Sequence, residues 1–201
     1  MTVVSRGFGG RREVDPRVPP GQYRTDDFPV LTAGPTPLIS TGDWALDVTS
    51  LDGTSQSLSW PDLMALPVEE FTVDLHCVTK WSKLGTRWRG VPIAHVLEAV
   101  GADLEGVEHV MAHSHGGYTT NLPLQDLLGG QAWIAFEFDG EPLAAAHGGP
   151  ARLLVPHLYL WKSAKWVNRL ELRQEDQLGF WENFGYHAYG DPWREQRYVG
   201  D

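Results

Sequence analysis

Several short stretches of the chain alternate between apolar and polar residues with the period of a strand. Trp44-Ala45-Leu46-Asp47-Val48 is one, and Ser57-Leu58-Ser59-Trp60 is its predicted partner across a turn at Asp52-Gly53. Phe71 to Val78 alternates in the same way and then breaks into polar residues. His109 to Ser114 and Tyr118 to Leu122 read as a hairpin through Gly116-Gly117. Ala132 to Phe138 is a predicted strand closed by Asp139-Gly140, and Arg152 to Val155 and Trp166 to Leu172 are the last two. Helical spacing is rarer. Pro61 to Leu66 opens with proline where a first helical turn accepts it. After Pro92, Ile93, Val96, Leu97 and Val100 recur at helical intervals until Gly101 ends the run. Leu124 to Leu128 is a helical turn.

Short helices between strands, without strand–helix repetition, predict a mixed α+β domain and not a doubly wound sheet. Residues 1–42 are rich in Gly, Pro and Thr and are expected to form an extended arm, with Phe28-Pro29-Val30-Leu31 apolar enough to dock. The domain proper is expected over 43–175. Residues 176–201 carry Phe180, Trp181, Phe184, Tyr186, Tyr189, Trp193 and Tyr198, too much aromatic surface to stand free in water, so this segment is expected to pack on the domain.

Charge narrows the function. A formal net charge of −10 argues against nucleic acid and against an anionic membrane surface as partners. A small cationic pocket remains compatible with it. One cysteine excludes an intramolecular disulfide. No apolar run is long enough to span a bilayer. The first twenty residues hold Arg11-Arg12 with no apolar stretch after them, unlike a signal peptide. A cytoplasmic location is expected. The nine tryptophans are expected in the core or over a cleft.

The cysteine is Cys77. Free cysteine packs well as a small hydrophobe, which is one reading. The other is a thiolate ligand to a soft metal, which wants a cationic or polar surround. Lys80, Lys83, Arg87 and Arg89 follow it in an otherwise acidic chain. His113 and His115 with Cys77 would make a zinc site if the strand continued past the turn. A second segment, His147-Gly148-Gly149-Pro150-Ala151-Arg152, has glycines whose N–H groups could approach an anion and an arginine fork suited to phosphate. Lys162-Ser163-Ala164-Lys165 follows. A plain Gly-Pro turn with surface bases is the rival reading.

These residues resemble a known family. His147-Gly-Gly-Pro-Ala-Arg152-Leu-Leu-Val-Pro156 and Lys162-Ser-Ala-Lys165-Trp166, with Leu75-His76-Cys77-Val78 and Trp88-Arg89-Gly90-Val91-Pro92 upstream, resemble the signature of the sulfite oxidase family of molybdopterin enzymes. The likeness runs from about Trp44 to Leu172 and is nearest to the short bacterial single-domain members. It implies a strand-rich α+β fold and a molybdenum cofactor bound through one pterin, with Cys77 as the thiolate ligand to the metal. It implies that His147 and Arg152 bind the pterin and its phosphate, that Ser163, Ala164 and Lys165 also hold it, and that Ser114 lies near it. Lys162 stands where sulfite oxidases often carry an arginine facing the substrate anion. The implied activity is two-electron oxygen-atom transfer to or from a small oxyanion, sulfoxide or related oxo compound. There is no Cys-x-x-Cys-His haem motif, so an external electron-transfer protein is expected. The single arginine of the cradle favours a pterin without a nucleotide, and the lack of a dimerisation domain favours a monomer. Cys77 is followed by Val-Thr-Lys-Trp and not by an arginine-rich run, which counts against sulfite as substrate. A cofactor carrier without activity and a zinc-binding or metal-free module are the rivals.

Overall fold

The computed structural model describes residues 15–201. The first part of the expected arm therefore lies outside the described residues. From residue 15 the chain runs along the domain with one short strand, β1 (Tyr23–Arg24). There follow β2 (Ala45–Thr49), β3 (Ser55–Ser59), α1 (Trp60–Met64), β4 (Glu69–His76) and β5 (Trp81–Pro92). Next come α2 (Ile93–Ala99), β6 (His109–Ser114), β7 (Thr119–Pro123), β8 (Trp133–Phe138) and β9 (Glu141–Pro142). β10 (Arg152–Leu154), β11 (Val167–Arg173) and α3 (Phe180–Asn183) complete the chain. Single 3₁₀ turns lie at Leu124–Leu127, Ala145–His147 and Leu160–Lys162.

Two sheets form. One runs β3-β2-β11-β6-β7, with β11 parallel to β2 and antiparallel to β6. The other runs β1-β5-β8-β10, with β4 added to β5 and β9 to β8. The α+β class and most strands agree with the alternation pattern. Local chemistry explains the helix starts: Ser59 and Asp62 make a reciprocal capping box at α1. Gly101 takes φ +63° just beyond α2, where a side chain would be strained.

The main exception is β5. The sequence marks this segment only by its cations, Lys83, Arg87 and Arg89, yet it is a twelve-residue strand at the centre of a sheet. Trp81, Ser82, Trp88 and Val91 are buried, and the charges between them are matched. Arg89 donates to Glu137 at 2.7 Å, Arg87 lies 3.1 Å from Asp139, and Lys83 Nζ donates to the Asp26 carbonyl. The expected cationic surround for Cys77 is therefore not made by these residues.

The larger core joins the inner face of the first sheet (Leu46, Val48, Val110, Leu170) to α2 (Val96, Leu97) and to Ile134 and Leu153 of the second. A smaller core of Leu75, Trp88, Ala135, Leu143 and Leu154 lies on the second sheet's other face. That sheet is covered on both sides, which is why Trp133 to Phe136 form a continuous buried run. The two sheets hold fixed the loops that make the cavity described next.

Candidate active site

Cys77 is the first residue of the turn joining β4 to β5. Its N–H donates to the Trp81 carbonyl and its own carbonyl accepts from Lys80 N, both at 2.9 Å. Lys80 takes φ 74° to close this turn, and Gln22 Nε2 donates to the Cys77 carbonyl at 3.1 Å. The sulfur is buried, and burial pushes the thiol up. Thr79, whose hydroxyl donates to Sγ at 3.1 Å, pulls against that rise, as do the N–H groups of Thr79 and Val78 and the Lys165 charge. The sulfur thus sits at the focus of several donors, the surround a thiolate needs.

Arg152 begins β10 and is 2 % exposed. Nη1 donates to the His147 carbonyl at 3.0 Å and Nη2 to the Ser163 carbonyl at 2.7 Å. No carboxylate pairs with it among the described residues. Burial without a counter-ion lowers its pKa to about 10. Lys165 Nζ donates to the carbonyls of Leu31 and Ala146. Burial and the nearby Arg152 bring it down to about 8, and the Cys77 sulfur acts the other way. His147 falls to about 4, from burial first and then from Arg152 and Lys165. It is therefore neutral at pH 7, its Nδ1 is buried without a partner, and its ring stacks on Phe28 at 4.0 Å.

These groups line one cavity of about 510 Å³, with Cys77, His147, Arg152, Ser163 and Lys165 all on its wall. His115, Gly116 and Gly117 of the β6–β7 turn also line it. Rings supply much of the remainder: Tyr118, Trp161, Phe180, Trp181 and Tyr186. No aspartate or glutamate lies on the wall, although the chain carries 26 of them. In a protein of net charge −10, that is a locally positive cavity.

Some expected site residues lie elsewhere. Lys162, expected to face a substrate anion, is fully buried away from the cavity wall. Its ammonium lies 2.6 Å from Glu182 Oε1 and donates to Asn121 O and Oδ1 at 2.8 and 2.9 Å. Its charge is spent inside the protein, and that expectation is corrected. Ser114 ends β6 just short of the wall, with its Oγ buried and unpartnered among the described residues. Ala164 is buried, and its carbonyl pairs with Leu153 N; Ser163 Oγ accepts from Val155 N.

The glycines also differ from expectation. Gly148 N and Gly149 N donate to Ala145 and Ala144 carbonyls, so neither is free for an anion. A Cβ on Gly149 would come within 1.9 Å of the Leu143 carbonyl oxygen, so tight packing, not a ligand, requires glycine there. The open backbone is in the other pair. Gly116 takes φ +92° with nothing within 4 Å of a would-be Cβ, and its N–H has no acceptor among the described residues. The zinc alternative finds no support: no cluster of three metal-binding side chains occurs among the described residues, and His113 is held by Glu171 at 2.9 Å.

Sequence reasoning passed over Thr79, took Phe28 and Tyr186 only as packing residues and took His115 only as a zinc candidate. The folded loops bring Phe28, His115 and Tyr186 onto the same cavity wall as Cys77.

Fold and cavity together describe an α+β protein offering a buried thiol and unpaired cations to a large anionic group. The comparisons name the class. Residues 33–181 match the oxidoreductase molybdopterin binding domain, and the chain belongs to that family. It is 43% identical over 197 residues to the uncharacterized oxidoreductase YuiH of Bacillus subtilis, covering 96% of this chain and 99% of that one. It is 29% identical to the putative protein-methionine-sulfoxide reductase subunit YedZ1 of Azospira oryzae, over 76% of this chain and 57% of that protein. Rat mitochondrial sulfite oxidase is 28% identical over 77% of this chain, which spans 34% of that enzyme. The sulfane dehydrogenase SoxCD of Paracoccus pantotrophus shares the fold, with TM-score 0.63 and 21% identity over 70% of this chain and 40% of that one. The chain is thus a molybdopterin-dependent oxidoreductase of the sulfite oxidase type. The residues present fit such a group. The cavity is free of carboxylates, Arg152 lacks a counter-ion, and His147 Nδ1 and His115 Nε2 are buried without partners. No helix among the described residues is long and apolar enough to cross a membrane.

Proposed function

We propose that this protein catalyses two-electron oxygen-atom transfer to or from a small oxyanion, a sulfoxide or a related oxo compound, exchanging electrons with an external redox protein. The observation that carries the reading is the cavity where the Cys77 thiol, Arg152, Lys165 and neutral His147 meet with no carboxylate. In this reading Cys77 Sγ binds molybdenum. His147, Arg152 and Lys165 hold the pterin and its phosphate, helped by Ser163 and the Ala164 backbone, with Ser114 behind the β6–β7 turn. The cofactor supplies the redox chemistry when bound.

The chain's own groups do the rest. Cys77 would hold the metal as a thiolate, its proton lost on binding although burial raises the pKa of the free thiol. Thr79 and the backbone N–H groups keep the sulfur oriented and temper its charge. Arg152 and Lys165 gain from an anion the counter-charge that the fold withholds. The aromatic wall keeps bulk water from the sulfur's side of the cavity. Tyr186 lines the same cavity as Cys77, where its hydroxyl is available to a substrate oxygen. One arginine on the wall supports a pterin without a nucleotide. A single cysteine kept as a free thiol fits a cytoplasmic setting.

The test is elemental analysis of protein made in a host able to assemble the pterin, with Cys77→Ala alongside. Stoichiometric molybdenum in the wild type, lost or depleted in the variant, is the expected result. Zinc, or no metal, would overturn the reading.

A further inference from the structure

The N-terminal arm reaches the cavity and becomes part of its wall. Phe28, Pro29 and the run from Leu31 to Pro37 line it. The segment is fastened at both ends. Upstream, β1 pairs with β5. The Phe28 ring centre lies 5.2 Å from that of Phe138 and 6.2 Å from those of Trp81 and Trp88, and it stacks on the His147 ring at 4.0 Å. Downstream, Ile39 packs against the larger core.

Between these ends the chain is held weakly. Pro29, Pro35 and Pro37 have no N–H to give to a sheet. The Thr32 hydroxyl bonds to Gly34, within the segment itself. From Pro29 to Leu38, the one hydrogen bond to the domain among the described residues runs from Lys165 Nζ to the Leu31 carbonyl at 2.9 Å. Leu31 and Leu38 are 50 and 92 % exposed. The segment is therefore a single layer of chain, with the cavity on one side and solvent on the other. Local opening of such a layer breaks few contacts.

The fastening uses two residues that the functional reading gives to the cofactor. His147 carries the Phe28 stack, and Lys165 carries the Leu31 bond. The Lys165 ammonium has three N–H groups, and the Leu31 and Ala146 carbonyls take two. The third is left for an anion in the cavity. An anion there favours the charged ammonium, which is also the stronger donor to Leu31.

We propose that residues 29–38 form a strap over the cofactor site, which lifts to admit the pterin and is then fastened by the Phe28–His147 stack and by a Lys165 ammonium shared between the strap and an anion of the cofactor. The proposal rests on the reading that His147 and Lys165 hold the pterin. It makes Phe28 and the Leu31 carbonyl positioning groups for those two residues.

The experiment reads the strap by chymotrypsin cleavage after Leu31, assigned by mass. The rate follows the fraction of open strap. Cofactor-free protein is cleaved with and without inorganic phosphate, with chloride holding the ionic strength constant. Phosphate is expected to slow cleavage about tenfold, and Lys165→Met to abolish that protection. Two variants loosen the strap. Phe28→Leu keeps an apolar side chain but loses the ring stack, and Pro35→Gly/Pro37→Gly removes stiffness from the span. Each is expected to raise cleavage after Leu31 out of proportion to cleavage after Leu170 in β11, which needs the domain to unfold. Each is also expected to speed pterin loss from the molybdenum-loaded protein about fivefold, read by the fluorescence of released pterin. Cleavage indifferent to phosphate, with pterin lost from both variants at the wild-type rate, would overturn the strap and leave the functional reading standing. A wild type that carries no pterin, yet is protected by phosphate through Lys165, would sink the functional reading and leave the strap as the cover of an anion site.

Discussion

Arg152 and Lys162 are both fully buried, and they are held there differently. Lys162 has a carboxylate partner: Glu182 Oε1 also accepts from Thr120 Oγ1 at 2.9 Å and Trp161 Nε1 at 3.0 Å. Arg152 has only backbone carbonyls. A buried cation with its counter-ion inside the fold is a structural joint. Here it ties α3, and with it the aromatic wall of Phe180 and Trp181, to the middle of β7. A buried cation without a counter-ion leaves a charge for a ligand to neutralise. The same residue class, in neighbouring segments, thus has opposite meanings, and the test is where the negative charge comes from.

Breaking the joint gives the largest expected effect. Glu182→Leu strands the Lys162 ammonium in the core and should cost about 3–5 kcal/mol, read by urea unfolding. The double variant Lys162→Met/Glu182→Leu should recover most of that loss, because no unpaired charge remains. If the single variant unfolds at the wild-type urea midpoint, the pair is not a joint.

Arg152→Met is the contrasting change. It removes the donors to the carbonyls of His147, Leu153 and Ser163 and strands no charge, at about 1–3 kcal/mol. Its main consequence should be functional, with molybdenum and pterin content lost from a folded protein. Retention of cofactor at the wild-type level would reverse the roles assigned to the two cations.

A pH titration sharpens the same point on Lys165. Its lowered pKa of about 8 means that it is charged below that pH and neutral above it. Binding of inorganic phosphate to cofactor-free protein should not vary with pH through this group below 8, and should weaken as pH rises through 8. A constant affinity from pH 7 to 10 by calorimetry would remove Lys165 from the anion site. The folded state prefers the neutral amine, so stability from this group is penalised below 8 and recovers towards 10.5. The smallest expected effect is at the thiol. Thr79→Val removes the hydroxyl donor to Sγ and should slow alkylation of Cys77 about threefold near neutral pH.

Much of the frame was legible along the chain because burial of one sheet face writes an alternating pattern. The strand at Ala45–Thr49, the hairpin through Gly116-Gly117 and the helix ended by Gly101 follow from it directly. β5 was not legible, since Lys83, Arg87 and Arg89 carry the signature of a solvated face. Their partners Asp139 and Glu137 lie some fifty residues on, and only strand pairing brings them alongside. The candidate site divides in the same way. Cys77, His147, Arg152 and Lys165 stood out by residue type and motif. Phe28, Thr79 and Tyr186 did not, and His115 stood out only as a zinc candidate, because nothing local marks a threonine or an aromatic residue as lining a cavity with the sulfur.

By itself the sequence determined the α+β class, the positions of most strands and the residues with the chemistry to hold a soft metal and a phosphate. Those properties depend on local periodicity and on side-chain chemistry, both carried by the chain in one dimension. Only the tertiary structure decided that Lys162 belongs to a joint and Arg152 to a cavity. It also decided that Gly148-Gly149 spend their N–H groups on their own turn while Gly116 leaves its own open. The physical reason is that a charge or a donor acquires its role from its partner. Partners such as Glu182, the Leu31 carbonyl and Trp166, whose carbonyl takes the His115 N–H, arrive from distant parts of the chain.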